Sequence, residues 1–353
     1  GTPWPAVGAI GLLGASLILS YYAVVTGWAA KYLAAAATGA LWAEAGADYG
    51  AFFRGFITGS WEPVSWHLAV VAVTAAVVAS GVRRGVERTN KVLMPLLAVI
   101  VLGLAGHGLT LEGAGRALAF LFEPTWDALL DPRVYLAAMG QAFFSIGVGA
   151  AIFITYGAYL AGEERIASAA AWVVTGDTAI AVLAGLAVFP AVFTFGVDPA
   201  SGPELAFVVL PRVFRSIAGG EVLGVLFFLL LVMAALTSTV AMLEAAVAYV
   251  MRRLGLVVVL AGLPPALGYG LLRGVAWRGR GILETMDVAA ANVLLPIGAL
   301  GVALFVGWRW GKGEAVAQSG LGQGALGRAW FWLLRVVAPA LILAVMLTGL
   351  RAL

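Results

Sequence analysis

Long apolar segments, separated by polar or glycine- and proline-bearing connections, run through almost the whole chain. A membrane-spanning helix needs about 20 apolar residues. On this criterion we predict nine helices, at residues 5–36, 66–82, 92–109, 134–160, 170–196, 221–251, 254–272, 288–308 and 330–350. The segments 37–65, 110–133 and 197–220 are predicted to be long loops on one side of the membrane, the second with a short interfacial helix.

The fourth apolar segment has an unusual centre. Residues 140–160 read GQAFFSIGVGAAIFITYGAYL, with the run Gly147-Val148-Gly149-Ala150-Ala151 in the middle. Glycines at this depth let the backbone leave the helical conformation. Such backbone is tolerated in a membrane only where it is buried in protein or lines a wet cavity. Broken helices of this kind bind substrate and ions in secondary transporters, so we predict a break at 147–151 and a transport function.

Composition agrees with a membrane protein. Of the 353 residues, 62% are hydrophobic and 11% are charged, and the mean hydropathy is +1.01. A soluble protein of this length cannot bury so much apolar surface, which indicates an all-α, multi-pass integral membrane protein in a lipid bilayer. The absence of cysteine excludes disulfides and thiolate metal sites. The net charge of +3 is small and spread over the connections, so it indicates no nucleic-acid partner.

The distribution of basic residues predicts the orientation, because cytoplasmic connections are enriched in Lys and Arg. One set of mostly short connections carries Arg83, Arg84, Arg88, Lys91, Arg165, Arg252, Arg253, Arg309, Lys312 and Arg328. The opposite, mostly longer connections carry Arg54, Arg116, Arg133, Arg212, Arg215, Arg273, Arg278 and Arg280. We predict that the first set is cytoplasmic, which places residue 1 inside and residue 353 outside.

Three acidic residues lie within or beside predicted spans. Asp177 and Glu244 fall well inside, and Asp287 lies at the outer mouth of the eighth helix. A charge at the bilayer centre costs at least about 2.5–3.5 kcal/mol, so each should face protein, an ion or water. They are therefore either functional groups or protonated or paired acids that join helices.

Polar side chains in two other spans also have two interpretations. The hydroxyls of Thr237, Ser238 and Thr239 either bond to carbonyls of their own helix or join carbonyls around a hard cation, which prefers oxygen ligands. Tyr21 and Tyr22 lie mid-span, although tyrosines usually lie at the interface. They either offer a phenol to a polar ligand or are core tyrosines bonded to a backbone carbonyl.

Six segments together resemble the neurotransmitter:sodium symporter family, most closely its bacterial amino-acid transporters. They occur in the family's order and at its spacing, and the resemblance covers nearly the whole chain. The segments are SYYAVVTGWAAKYL (20–33), RRGVERTNKVLMP (83–95), GQAFFSIGVGAAIFITYGAYL (140–160), LAFVVLPRVF (205–214), ALTSTVAMLE (235–244) and ETMD (284–287).

The resemblance implies a leucine-transporter-type bundle of two inverted five-helix repeats, each opening with a broken helix. Here the broken helix is the fourth of about nine. We therefore expect a fragment that corresponds to the family's third through eleventh helices and lacks the first two. Residues 1–353 would form one transporter domain, with 1–133 as the remainder of the first repeat, 134–308 as the second repeat and 309–353 as an additional C-terminal helix.

The resemblance also implies a substrate site, made by Ile18, Tyr22, Phe144, Ser145, Gly147, Gly149, Ala150, Ser238 and Met242. Tyr22 resembles the tyrosine whose hydroxyl binds the substrate carboxylate. Phe144 resembles the aromatic lid above the substrate. Ile18 and Met242 would line the apolar part of the pocket.

Two sodium sites are implied as well, with no organic cofactor. Ser145 resembles a ligand of the first site, and Ala234 (by its carbonyl), Thr237 and Ser238 resemble the second. Asp177 is either a ligand of the first site or the fixed negative charge that replaces chloride in bacterial members.

Gate residues are carried over in the same way. Asp287 resembles the acidic partner of the outer gate, whose arginine would lie on a missing helix. Tyr159 and Glu244 resemble a cytoplasmic-side polar pair. The chain departs from the family at 251–253, where Met-Arg-Arg replaces an acidic inner-gate residue, so that gate is not carried over.

We therefore expect a sodium-coupled amino-acid symporter of the bacterial inner membrane that works by alternating access and is not an enzyme. The small residues Gly147 and Ala150 favour hydrophobic or aromatic substrates. The alternatives are an inert fragment with no complete site and a sodium-coupled transporter of amines or other small solutes.

A channel is disfavoured because repeated pore loops and charge rings are missing from the pattern. An intramembrane enzyme is disfavoured because the two histidines, His67 and His107, lie near span ends. The oligomeric state is not indicated.

Overall fold

The computed structural model describes residues 3–43, 48–160, 165–196, 198–199, 202–250 and 253–352. Regular structure in these ranges is helical, apart from one isolated bridge between Trp277 and Arg280. This confirms the all-α membrane class. Residues 251 and 252, part of the departure at the inner gate, lie outside the described ranges.

Seventeen α-helices follow one another along the described chain. They are α1 (Pro5–Ala37), α2 (Ala40–Ala43), α3 (Tyr49–Ile57), α4 (Glu62–Ala79), α5 (Arg88–Gly108), α6 (Ala114–Phe122), α7 (Pro132–Ile146), α8 (Ile152–Gly157), α9 (Ile166–Thr194), α10 (Leu210–Ser216), α11 (Gly220–Val250), α12 (Arg253–Leu267), α13 (Ile282–Ala289), α14 (Leu295–Leu304), α15 (Lys312–Ser319), α16 (Ala325–Trp332) and α17 (Ala338–Ala352). Short π-helical stretches, such as Ala290–Leu294 between α13 and α14, join several of them into longer rods.

Seven of these rods are long and apolar enough to cross a membrane: Pro5–Ala37, Glu62–Ala79, Arg84–Gly108, Ile166–Thr194, Gly220–Ala248, Ile282–Trp310 and Ala325–Leu347. The other two predicted spans differ. Segment 134–160 is divided into α7 and α8, and segment 254–272 holds a shorter apolar helix, Val257–Leu267. The chain is therefore a multi-pass protein, while the number nine stays a prediction.

Proline and capping residues explain where several helices begin and bend. Pro5, Pro63 and Pro132 each lie in the first turn of their helix, where the missing N–H costs nothing. Pro63 explains why α4 begins at Glu62, before the predicted start at 66. Asp131 caps α7, its carboxylate accepting a 2.9 Å hydrogen bond from the Arg133 amide. The short helix predicted in 110–133 is α6, while its position at the membrane interface stays a prediction.

Helix α1 lies at the centre of the bundle and packs against α4, α11, α12 and α14. Small residues let it do so: Ala15 and Ala23 are fully buried, and Gly27 meets the backbone of Trp66 and His67 on α4. Further along α1, Trp28 and Tyr32 enter an aromatic cluster, packing edge-to-face against Phe207 at ring distances of 6.0 and 5.1 Å. This central helix forms one wall of the site described next.

Candidate functional site

The backbone leaves the helical conformation between α7 and α8, at the break that the two glycines predict. Gly147 (φ 77°), Gly149 (φ 90°) and Ala151 (φ 57°) all adopt positive φ angles. Glycine does so freely, whereas a left-handed conformation costs alanine about 1–2 kcal/mol. The surroundings must therefore hold Ala151 in place. Residues 147–151 are called the link below.

Hydrogen bonding in the link is incomplete. The amides of Gly147 and Val148 both donate to the Phe143 carbonyl at 3.0 Å, which closes the end of α7. Ala150 donates to Gly147 at 3.3 Å. Within the described part of the chain, the Gly149 and Ala151 amides donate to no backbone carbonyl. The link thus leaves backbone groups without helical partners, a feature of the discontinuous helices of secondary transporters.

A cavity of about 390 Å³ opens at the link, between α1, α7 and α11. Eight of the nine residues predicted for the substrate site line it: Ile18, Tyr22, Phe144, Ser145, Gly147, Ala150, Ser238 and Met242. The prediction missed five further lining residues, Gln141, Ile146, Ile152, Ala241 and Leu295. Gln141, Ile146 and Ile152 belong to the motif 140–160 and Ala241 to the motif 235–244, so membership of a quoted motif was the available signal. Leu295 lies outside the quoted motifs and carried no signal that separates it from an ordinary core residue.

The ninth residue, Gly149, does not line this cavity. It faces α14, where a Cβ on Gly149 would lie 2.7 Å from the Ala299 amide nitrogen. The expected substrate role of Gly149 is therefore not supported by its position. In non-helical backbone, successive residues follow no fixed periodicity, so the sequence could not show which link residues face the cavity.

The polar end of the cavity is formed by Tyr22 and Ser238, two hydroxyl-bearing residues that line it. The apolar end is formed by Ile18, Met242 and Ala150, all of them buried, with Ala150 only 1% exposed. The cavity is thus amphipathic, with hydroxyl groups at one end and hydrocarbon at the other.

The acid on α9 is joined directly to the broken helix. Ser145, at the last turn of α7, donates a 2.7 Å hydrogen bond to the Asp177 carboxylate. Two of the residues expected at the first sodium site are therefore in contact. A carboxylate and a hydroxyl oxygen are ligands that a hard cation accepts.

On α11, the three residues expected at the second sodium site converge on one carbonyl. Thr237 donates to the Ala234 oxygen at 2.8 Å, and Ser238 does so at 3.3 Å. Thr239 points elsewhere: its hydroxyl lies 3.0 Å from that of Thr74 on α4 and is fully buried. The triple hydroxyl run is thus divided. Ser238 lines the cavity, Thr237 shares its carbonyl acceptor, and Thr239 contacts a second helix.

A larger cavity of about 590 Å³ adjoins the first one and shares Gln141 and Phe144 with it. Phe144 therefore lies at the boundary between the two spaces. Asp287 lines the larger cavity and accepts a 2.8 Å hydrogen bond from Tyr21. Because of this hydrogen bond, Tyr21 is a bonded structural residue. Tyr22, the other mid-span tyrosine, faces the smaller cavity.

Arg133 also lines the larger cavity, although it is not among the predicted site residues. Its guanidinium forms a 2.9 Å ion pair with Asp131. This hydrogen-bonded contact holds the pKa of the Asp131 carboxyl below its usual value. A basic residue directly after a helix-initiating Asp-Pro pair was the available signal. The mouth of the cavity thus carries both charge signs.

At the other end of the broken helix, Tyr159 donates a 2.9 Å hydrogen bond to Glu244 on α11. Glu244 is only 6% exposed, so this phenol satisfies one of its oxygens inside the protein. The two residues form the polar pair that the resemblance implies. The pair joins the segment after α8 to α11.

Comparison with known proteins identifies the family. The model of the sodium:neurotransmitter symporter family matches residues 58–353. YhdH of Bacillus subtilis (strain 168), described as an uncharacterized sodium-dependent transporter, is 37% identical over 359 residues, covering 98% of this chain and 79% of that protein. An uncharacterized sodium-dependent transporter of Haemophilus influenzae is 33% identical, with the same two coverages.

Among solved structures, the crystal structure of MhsT in complex with L-phenylalanine has a TM-score of 0.91 and 44% sequence identity. The match covers 99% of this chain and 82% of that one. A fold of the leucine-transporter type follows from this similarity. The chain belongs to the sodium:neurotransmitter symporter family and is a multi-pass, sodium-dependent membrane transporter, not an enzyme.

Proposed function

We propose that this protein is a sodium-coupled symporter of hydrophobic or aromatic amino acids that works by alternating access in a bacterial inner membrane. The observation that carries the proposal is the amphipathic 390 Å³ cavity at the break between α7 and α8. Its location fits the midplane sites of secondary transporters, which lie at discontinuous helices. The similarity to MhsT, whose crystal structure holds L-phenylalanine, supports the same substrate class.

The two ends of the cavity suit the two ends of such a substrate. The Tyr22 hydroxyl would donate to the carboxylate at the polar end of the cavity. The side chain would extend toward Ile18, Met242 and Ala150. Because methionine adapts its shape and Ala150 is small, this end suits a bulky apolar group. Phe144, at the boundary with the outer cavity, would cover the substrate.

Sodium would be carried as a co-substrate at two sites. Ser145 and Asp177 would serve the first, with the Asp177 carboxylate as ligand or as the fixed negative charge that makes chloride unnecessary. Ala234, Thr237 and Ser238 would serve the second. The oxygens of each set already lie within hydrogen-bonding distance of one another. A hydroxyl that now donates to a neighbouring oxygen keeps lone pairs for a cation.

Coupling would come from differential affinity for the outward-facing and inward-facing states, with no covalent chemistry. Asp287 would belong to the outer gate and the Tyr159–Glu244 pair to the cytoplasmic side. In this view 1–133 and 134–308 belong to the two repeats and 309–353 supplies an additional helix, in a bundle of about nine spans.

Uptake of radiolabelled L-phenylalanine by liposomes that contain the full-length protein tests the proposal. An inward sodium gradient should drive accumulation above equilibrium, and an equal potassium gradient should not. Tyr22→Phe should abolish or strongly weaken uptake by removing the carboxylate donor, whereas Tyr135→Phe, at an exposed position on α7, should not. Sodium-driven uptake of an amine without a carboxylate, unaffected by Tyr22→Phe, would favour the alternative substrate class. Equal uptake with potassium would contradict sodium coupling.

A further inference from the structure

Three glycines from three different elements meet on the side of the link that faces away from the smaller cavity, which we term the back of the link. They are Gly11 on α1, Gly149 in the link and Gly298 on α14. A Cβ on Gly11 would lie 2.7 Å from the Gly149 carbonyl oxygen and 2.8 Å from the Ala151 amide nitrogen. A Cβ on Gly298 would lie 3.1 Å from the Gly149 carbonyl carbon and closer still to its oxygen. The Gly149 carbonyl is thus enclosed between two helix backbones.

The atoms that block a side chain at these positions are backbone atoms. Side-chain ends can rotate away from a new methyl group, but the Gly149 carbonyl can move only if the link itself moves. The contact is also specific along α1. Gly8, one turn earlier, has no atom within 4 Å of a Cβ position, and Gly14 has only ordinary contacts, at 3.5 Å with Leu294 and 3.9 Å with Leu295.

The link has few other restraints on this side. Its Gly149 and Ala151 amides donate to no backbone carbonyl among the described residues, and Ala151 is in a left-handed conformation that alanine disfavours. Close packing against Gly11 and Gly298 therefore supplies what hydrogen bonds do not. On the opposite side, Gly147 and Ala150 line the substrate cavity. Because the link is short, the position of its back determines the position of its front, the side on which Gly147 and Ala150 line the cavity.

We propose that Gly11 and Gly298 are positioning residues, which form a backbone clamp that fixes the link and thereby sets the affinity of the cavity for substrate. Neither glycine lines the cavity itself. The consequence for transport rests on the proposed function, whereas the clamp is a property of the structure and can be measured without transport. A methyl group at either glycine displaces the link from the scaffold that α1 and α14 provide.

The transport test compares Gly11→Ala and Gly298→Ala with the matched control Gly8→Ala in liposomes. Each clamp variant should raise the substrate concentration at half-maximal uptake by about tenfold or more, with a smaller change in the maximal rate. Gly8→Ala should behave as the unaltered protein. Unchanged half-saturation in both clamp variants, or an equal effect of Gly8→Ala, would overturn the role in substrate affinity.

A second readout follows the link directly. Because the chain has no cysteine, Val148→Cys places a single thiol in the link. Its reaction with a small maleimide should be several-fold faster in the Gly11→Ala background than in the Gly8→Ala background. Equal rates would overturn the clamp, while faster labelling without any sodium-driven uptake would support the clamp and count against the proposed function.

A third measurement needs no variant, and it tests the clamp even if the alanine variants do not fold. In the unaltered protein, hydrogen exchange should show the Gly149 and Ala151 amides protected, although they have no backbone acceptor, because the clamp excludes water and restrains opening. Exchange at the rate of freely exposed amides would overturn the proposal.

Discussion

Ser145 donates a 2.7 Å hydrogen bond to Asp177, and this contact joins the last turn of α7 to the middle of α9. The hydroxyl belongs to the broken helix and the carboxylate to a helix 32 positions further along the chain. Their contact places the acid beside the residue expected at the first sodium site. We therefore predict that Asp177 is a sodium ligand and not only the fixed negative charge that replaces chloride.

Asp177→Ser should weaken sodium binding by removing a charged oxygen ligand. We expect the sodium concentration at half-maximal uptake to rise about tenfold, which corresponds to about 1.4 kcal/mol. Uptake should be measured over a sodium titration with chloride and again with gluconate. Thr178→Ala is the control, because the Thr178 hydroxyl donates to the Val174 carbonyl of its own helix.

The two media separate the remaining interpretations of Asp177. Chloride-dependent uptake by Asp177→Ser, at unaltered sodium affinity, would show that the carboxylate replaces chloride. Full activity in both media at unaltered sodium affinity would leave Asp177 as a residue that only joins helices. Either result would contradict the sodium-ligand prediction.

Thr237→Ala and Ser238→Ala should each weaken sodium binding with little effect on stability. Both hydroxyls share the Ala234 carbonyl, so each substitution removes one oxygen from the expected second site. Thr239→Ala provides the contrast, because its buried hydroxyl joins α11 to Thr74 on α4. This change should cost about 0.5–1.5 kcal/mol of stability by removing the contact between α11 and α4. The Thr74 hydroxyl keeps the Val70 carbonyl as its partner, and sodium affinity should be retained. Sodium-dependent thermal shifts in detergent measure both quantities.

The break and most of the cavity could be predicted because the underlying signals are local. Glycines at 147 and 149 permit positive φ whatever surrounds them, and most of the cavity residues lie in motifs with fixed spacing. The direction in which Gly149 faces could not be predicted, because it depends on how α14 approaches the link. The pairing of Arg133 with the outer cavity, and the departure of Thr239 from its two neighbours, likewise depend on contacts between distant segments.

Tyr159→Phe should destabilise the protein by about 1–3 kcal/mol, because it removes the 2.9 Å hydrogen bond to a buried Glu244 oxygen. Glu244→Gln in the same protein should recover part of this loss, since a neutral amide is easier to bury than a carboxylate. Thermal unfolding of the two single variants and the double variant measures the coupling. Tyr135→Phe is the control, since the Tyr135 hydroxyl is exposed and bonds to the Leu129 carbonyl. Additive effects of the two substitutions would contradict the pair.

Ala150→Phe should shift substrate preference toward smaller amino acids. The Ala150 side chain lies at the apolar end of the 390 Å³ cavity and is only 1% exposed. A phenylalanine there would occupy the space that a bulky substrate needs. In the unaltered protein, each buried methylene of the substrate should add about 0.8 kcal/mol of affinity. Leucine and tryptophan should therefore compete for uptake better than alanine, and Ala150→Phe should narrow or reverse that order.

Competition against a labelled substrate measures this preference, with unlabelled alanine, leucine and tryptophan as competitors. Ala142→Phe, at an exposed position on α7, controls for the effect of adding a phenylalanine to the broken helix and should keep the original order. If alanine displaces the label as well as leucine or tryptophan in the unaltered protein, the cavity does not select bulky side chains. If Ala150→Phe and Ala142→Phe change the order equally, the preference is not set at Ala150. Only a selective change at Ala150 supports a pocket whose size is limited by the front of the link.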